Sequence, residues 1–184
     1  MRRLCRLLSR MAHEKRVCRF YSHDPKRSAG QADSRVTVYE KWMDIPVEFR
    51  QVAVPSPWLN VMFYRLKRGE AKLLCYFEEG HRLDAYGWVQ DWRPFRRKFG
   101  SLAENGTMLG PYWTAPEARG RGLYGRLLSH SLALCLQDGP ALIYTSSGNL
   151  ASQRGIEKAG FHFLGEWELR VWLRVFIRFQ RVDD

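Results

Sequence analysis

The chain has 184 residues, 45% hydrophobic and 14% aromatic, which suits one cored domain. Its 30 Lys and Arg outnumber 19 Asp and Glu for a formal net charge of +11, a balance that favours an anionic surface or an anionic substrate. Four scattered cysteines (Cys5, Cys18, Cys75, Cys135) lack C-x-x-C spacing, which argues against a disulfide framework or a metal site.

Residues 1–35 hold ten bases against three acids. Leu4, Leu7, Leu8 and Met11 fall at helical spacing in a basic amphipathic start. That start has three readings: docked or disordered, lying on an anionic membrane face, or a targeting presequence. Residues 24–35 are polar with Pro and Gly and read as a linker. The expected division is therefore a basic N-terminal segment and linker at 1–35 and a domain at 36–184. No aromatic-interleaved basic stripe or zinc-finger spacing accompanies the charge, so nucleic acid is not the expected partner. No apolar run reaches the roughly 20 residues of a membrane-spanning helix. The expected compartment is the cytoplasm, with peripheral membrane contact through residues 1–35.

Val36–Trp42 alternates as a strand. Asp44 can cap a short helix running to about Val54. Asn60–Leu66, Lys72–Glu78 and Leu83–Trp92 follow as strands of an antiparallel meander. Trp92–Gly100 reads as a basic aromatic loop. Thr107–Thr114 is a strand interrupted at Gly110-Pro111, where proline marks an edge, a bulge or a splayed pair. Gly122–Gln137 is a helix with Leu123, Leu127, Leu128, Leu132 and Cys135 on its buried stripe. Ala141–Thr145 is a buried strand and Asn149–Ala159 a helix ended by Gly160. Phe161–Gln180 is strand-like and long enough for two strands.

The stretch Pro116–Leu128, P-E-A-R-G-R-G-L-Y-G-R-L-L, carries the most chemistry. Glycines at a helix mouth let a ligand approach the backbone, and the first helical amides lack internal partners. Together with the helix dipole they favour a phosphate or pyrophosphate. Gly120-x-Gly122-x-x-Gly125 also matches the dinucleotide fingerprint, which needs an acidic residue about 20 positions on. The next apolar run ends in Thr145-Ser146-Ser147, without a carboxylate, so the nicotinamide reading fails.

Two blocks resemble the GCN5-related N-acetyltransferase (GNAT) superfamily. Arg119-Gly120-Arg121-Gly122-Leu123-Tyr124 resembles its pyrophosphate loop, Q/R-x-x-G-x-G/A. Asn149, Ser152, Glu157, Lys158, Gly160 and Phe161 resemble its N-x-x-A/S-x-x-L-Y-E-K-x-G-F block. The likeness covers residues 36–184. It implies an α/β fold of the α+β type: a mixed, mostly antiparallel central sheet with helices on both faces and a splayed strand pair for acyl-CoA. It also implies that Tyr112, Trp113 and Thr114 offer backbone to pantetheine. Arg119 and the amides from Arg121 through Gly122, Leu123, Tyr124 and Gly125 would hold the pyrophosphate. Asn149 and Ser152 would line the pantetheine and thiol side, although a plain helix N-cap also accounts for Asn149. Two positions depart from the pattern: Tyr124 replaces a small residue, and Ile156 stands where many relatives carry the tyrosine that protonates the leaving thiolate.

The implied activity is acetyl-CoA-dependent transfer of an acyl group directly to a primary amine, without a metal. Among the candidate bases Asp91, Glu78, Glu79, Glu104 and His162, Asp91 is preferred for its place at a strand end between Trp88 and Trp92. The basic aromatic Trp92–Lys98 points to a small anionic acceptor, such as an amino sugar on a nucleotide or lipid carrier. Two alternatives stay open: a CoA-binding module without catalysis, and an acetyltransferase for peptide or protein amines.

Overall fold

A computed structural model describes residues 13–24, 26, 30–47, 49, 57–77, 82–135, 139–172 and 175–182. In chain order the elements are β1 (His13–His23), β2 (Val36–Tyr39), α1 (Pro57–Lys67), β3 (Ala71–Phe77) and β4 (Leu83–Asp91). Then come α2 (Arg93–Phe99), β5 (Thr107–Leu109), β6 (Trp113–Thr114), α3 (Leu123–Ala133), β7 (Ala141–Ser146), α4 (Leu150–Lys158), β8 (His162–Trp172) and β9 (Val175–Arg181). The strands make one sheet ordered β2-β3-β4-β5-β7-β1-β8-β9, with β6 paired to β4. Every pair is antiparallel except β5–β7.

The basic segment is not a tail. β1 lies between β7 and β8, with Phe20 opposite Tyr144 on one side and Gly165 on the other. Its alternation explains the placement: Cys18 and Phe20 face one core cluster and Tyr21 another, all buried. The expected linker is also engaged. Asp33 accepts from Arg126 at 3.0 Å, and Gln31 N donates to Ser129 Oγ at 2.9 Å, so this stretch lies along α3. The amphipathic start at 1–11 lies outside the described residues.

Two further expectations are corrected. Residues 60–66 form α1, with Leu59, Met62 and Leu66 buried at helical spacing beneath Phe49, Leu73 and Trp88. Residues 93–99 form α2 rather than a loop. Trp92, Phe95 and Phe99 are buried at the same spacing, Pro94 sits in the first turn where it is tolerated, and Arg96, Arg97 and Lys98 point outward. The helix expected after Asp44 falls mostly outside the described residues, as does the turn between β8 and β9.

Helices cover both faces of the sheet. Leu127 and Leu128 of α3 and Ile156 of α4 pack on one face with Tyr21, Val89 and Ile143. α1 packs over Trp88 and α2 over Phe20 and Leu142 on the other. Among the described residues no helix is long and apolar enough to cross a membrane.

Candidate functional site

The interrupted strand opens the sheet. β5 and β7 pair only at Thr107–Ala141 and Met108–Leu142. At Gly110, φ is +100 and the Gly110-Pro111 peptide is cis. The chain then continues as β6, which pairs with β4 at Tyr86–Trp113 and Ala85–Thr114. Beyond Leu142, β7 pairs with β1 alone, so a wedge separates it from β6.

Each wall of the wedge has its own anchor. On the near wall, Gly110 N donates to Trp88 O at 2.8 Å and the buried Gln90 Nε2 donates to Gly110 O. Ala115 N donates to Asp84 O at 2.8 Å. On the far wall, Gln153 of α4 donates to Ser146 O and Ser147 O at 3.2 and 2.7 Å. Arg19 of β1 donates to Gln153 Oε1 at 2.7 Å, and Ser147 N donates to Val17 O at 3.0 Å. Neither wall needs the other, so the wedge persists without a strand to fill it.

The glycine stretch meets the wedge at one end. Gly120 and Gly122 take φ of +78 and +77, the left-handed region that favours glycine. A Cβ on Gly120, Gly122 or Gly125 would touch nothing within 4 Å. Gly122 is the N-cap of α3 and no side chain caps the helix. The first closing bond runs from Arg126 N to Gly122 O at 3.1 Å, so the amides of Leu123, Tyr124 and Gly125 have no intrahelical acceptor. No acid stands in the first turn, while Arg119 and Arg121 are exposed beside it. This mouth has the shape, donors and charge to hold a pyrophosphate.

Tyr112, Trp113 and Thr114 form the near wall and are partly buried. The Tyr112 ring packs beneath Gly87, and its hydroxyl donates to Ser131 Oγ at 2.8 Å. Burial raises the Tyr112 pKa well above the usual phenol value, so it stays neutral. Tyr124 turns away from the mouth. Its ring meets Tyr112 edge-on at 5.4 Å and lies against Gly155 of α4, with its hydroxyl bonded to Ser152. Thus the backbone of the departing Tyr124 position remains in the mouth while its side chain joins two helices. Asn149 caps α4, its Oδ1 accepting from Ser152 N at 3.1 Å. Ile156 is fully buried and offers no proton.

Asp91 stands elsewhere. It pairs with Thr107, at the end of β5 opposite the break. Its carboxylate accepts Arg93 N at 2.9 Å and Arg93 Nε at 2.7 Å. Burial raises its pKa, but the Arg93 bonds outweigh that and hold it low. The expected base is thus engaged at the start of α2, at the end of β5 opposite the break. Glu104 precedes β5, and His162 pairs with Ser22 two strands away. Glu78 and Glu79 lie outside the described residues.

A family model described as "Acetyltransferase (GNAT) family" matches residues 39–161. Among solved structures, a GNAT-family acetyltransferase from Colwellia psychrerythraea superposes with a TM-score of 0.58 at 18% identity, covering 98% of this chain and 62% of that one. A GCN5-related N-acetyltransferase from Sphaerobacter thermophilus gives 0.59 at 16% identity, covering 92% and 56%. A glucosamine N-acetyltransferase region of a fungal multi-domain GH3 β-N-acetylglucosaminidase gives 0.58 at 14% identity, covering 92% and 22%. The chain thus spans less than two thirds of the length of these structures. No curated protein matches it. With a family match over most of the domain, and a mixed sheet split beside a glycine-rich helix mouth, this chain belongs to the GNAT acetyltransferase family.

Proposed function

We propose that the chain is an acetyl-CoA-dependent N-acetyltransferase acting on a primary amine by direct attack. The observation that carries this reading is the wedge between β6 and β7 ending at the uncapped amides of α3. An extended thioester arm fits the wedge, and its pyrophosphate fits the mouth formed by Arg119 and residues 121–125. Acetyl-CoA supplies an activated acyl carbon. The backbone of Tyr112–Thr114 aligns the arm, and Asn149 and Ser152 flank its thiol end. Backbone N–H groups on the wedge walls stabilise the oxyanion that forms at the carbonyl. The amine nitrogen bonds the acyl carbon, the carbon–sulfur bond breaks with its electron pair going to sulfur, and the amine proton passes to solvent. Ile156 donates nothing, and a thiolate is a good enough leaving group to depart without an obligatory acid.

The acceptor we favour is a small anionic molecule of the amino-sugar type, on the strength of the outward Arg96, Arg97 and Lys98 of α2. A lysine-rich peptide would be repelled there. The buried free thiols of Cys18, Cys75 and Cys135 support a reducing compartment such as the cytoplasm. Calorimetry with acetyl-CoA tests the core of the proposal. One-to-one binding is expected, and Gly122→Val should weaken it at least tenfold by closing the backbone approach. Absence of binding at near-millimolar acetyl-CoA would overturn the reading. Free-thiol release with an amine panel separates an enzyme from a module that only binds.

A further inference from the structure

The wedge also opens toward the face that carries α1 and α2, and the two walls present different chemistry there. On the far wall stands Tyr144, two residues past the last β5–β7 pair and on the same side of β7 as the buried Leu142. Its ring stacks on Phe20 at 5.0 Å and approaches Phe99 at 6.1 Å, yet it stays 37% exposed. On the near wall, Arg65 of α1 donates through Nη1 to Gln90 Oε1, and Gln90 holds the Gly110 carbonyl at the break. The Arg65 guanidinium lies 4.3 Å from the centre of the Phe95 ring, which stacks on Phe99 at 6.1 Å. An aromatic floor of Phe95, Phe99 and Phe20 therefore joins a guanidinium at one wall to a phenol at the other.

Arg65 is the cation seated on this floor, and the outward Arg97 and Lys98 of α2 stand near it. Burial lowers the Arg65 pKa, and burial with Arg65 and Arg97 lowers that of Lys98. Arg16, on the same side of β1 as Phe20, and Arg65 both act on Tyr144. Burial still dominates for Tyr144 and raises its pKa, so its hydroxyl is a neutral donor at pH 7. The acid that acts on Arg65 is Glu70, which already pairs with Arg68 at 2.8 Å. Arg65 is partly desolvated and its hydrogen bond goes to a neutral amide, so a bound anion would offset the cost of its burial.

We propose that this is the acceptor subsite and that it selects amines carrying an acid group, the oxyanion seated between Arg65 and the Tyr144 hydroxyl with the amine turned into the wedge. The proposal rests on the acyltransferase reading above and names two specificity residues for it. A guanidinium fork accepts carboxylate and phosphate alike, and the shared chemistry is the oxyanion.

The test compares matched acceptors with acetyl-CoA: glycine against glycinamide, and phosphoethanolamine against ethanolamine. Glycinamide has the more readily deprotonated amine, so a preference for glycine runs against intrinsic reactivity. We expect kcat/KM at least tenfold higher for an acid-bearing member than for its neutral partner. The pair showing the larger ratio tells carboxylate from phosphate. Arg65→Gln should collapse the ratio toward one while acetyl-CoA affinity changes less than twofold. Arg65→Lys should keep part of the ratio, and Tyr144→Phe should lower it severalfold. A purely structural role for Arg65 would slow all acceptors alike and leave the ratio unchanged, which overturns the proposal, as does equal use of acid and neutral amines. If acetyl-CoA binds and no amine reacts, calorimetry on CoA-saturated protein decides: N-acetylglycine or N-acetylphosphoethanolamine must bind and N-acetylglycinamide must not. If acetyl-CoA itself does not bind, the acyltransferase reading falls and takes this one with it.

Discussion

Gly87 has no room for a side chain because Tyr112 fills the space. A Cβ there would lie 2.2 Å from the Tyr112 ring, closer than any real contact. Residue 87 sits on β4 opposite Leu74, so any shift is felt by the strand that carries the near wall of the wedge. Gly87→Ala should therefore cost about 1–3 kcal/mol by overpacking, read by chemical denaturation. It should also weaken acetyl-CoA binding, since the displaced ring belongs to the residue that follows the break. Gly125 behaves differently: the same methyl meets open space. Gly87 thus admits a neighbour from the protein, whereas Gly125 leaves open space at the helix mouth.

At the scale of elements, the carboxylate expected as a base holds the start of α2. Asp91 accepts the first amide of α2 and pairs with Arg93. Asp91→Ala should cost about 0.5–2 kcal/mol of stability, as loss of a cap does, while kcat stays within twofold of the parent. A large fall in kcat with stability intact would restore Asp91 as the base. The backbone of the proposed cofactor side was legible in the sequence because it is local: Gly120 and Gly122 supply positive φ, Gly110-Pro111 breaks a strand, and Asn149 caps a helix. The residues of the proposed acceptor side were not. Arg65 lies in N-V-M-F-Y-R-L, whose aromatic and branched residues read as strand, yet burial at Leu59, Met62 and Leu66 follows a helical period. Tyr144 looks like one more residue of a buried strand until the loss of its β5 neighbour makes it a wall. β1 was hidden by its charge: in R-V-C-R-F-Y the arginines stand three apart and mask the strand period, although Cys18 and Phe20 are buried on one face and Tyr21 on the other.

At the scale of the molecule, β1 joins two halves that have little other contact through the sheet. β7 reaches β8 only through it. Removing residues 1–35 should therefore leave an unfolded or insoluble chain, seen as loss of the cooperative thermal transition in circular dichroism. A truncation ending at residue 12 keeps the β7–β1–β8 ladder and should keep that transition. Equal behaviour of the two truncations would show that β1 is dispensable.

The central place of β1 also governs how the protein is made. It is the first described strand to leave the ribosome, but its partners begin at Ala141 and His162. Until they emerge, the faces that bury Phe20 and Tyr21 have nothing to pair with, and such long-range pairings close slowly. The pairs of β1 must therefore form only after β7 and β8 are synthesised, with Phe20 and Tyr21 uncovered until then. Holding chaperones that bind short hydrophobic stretches would meet this chain at β1 before any part of the wedge exists.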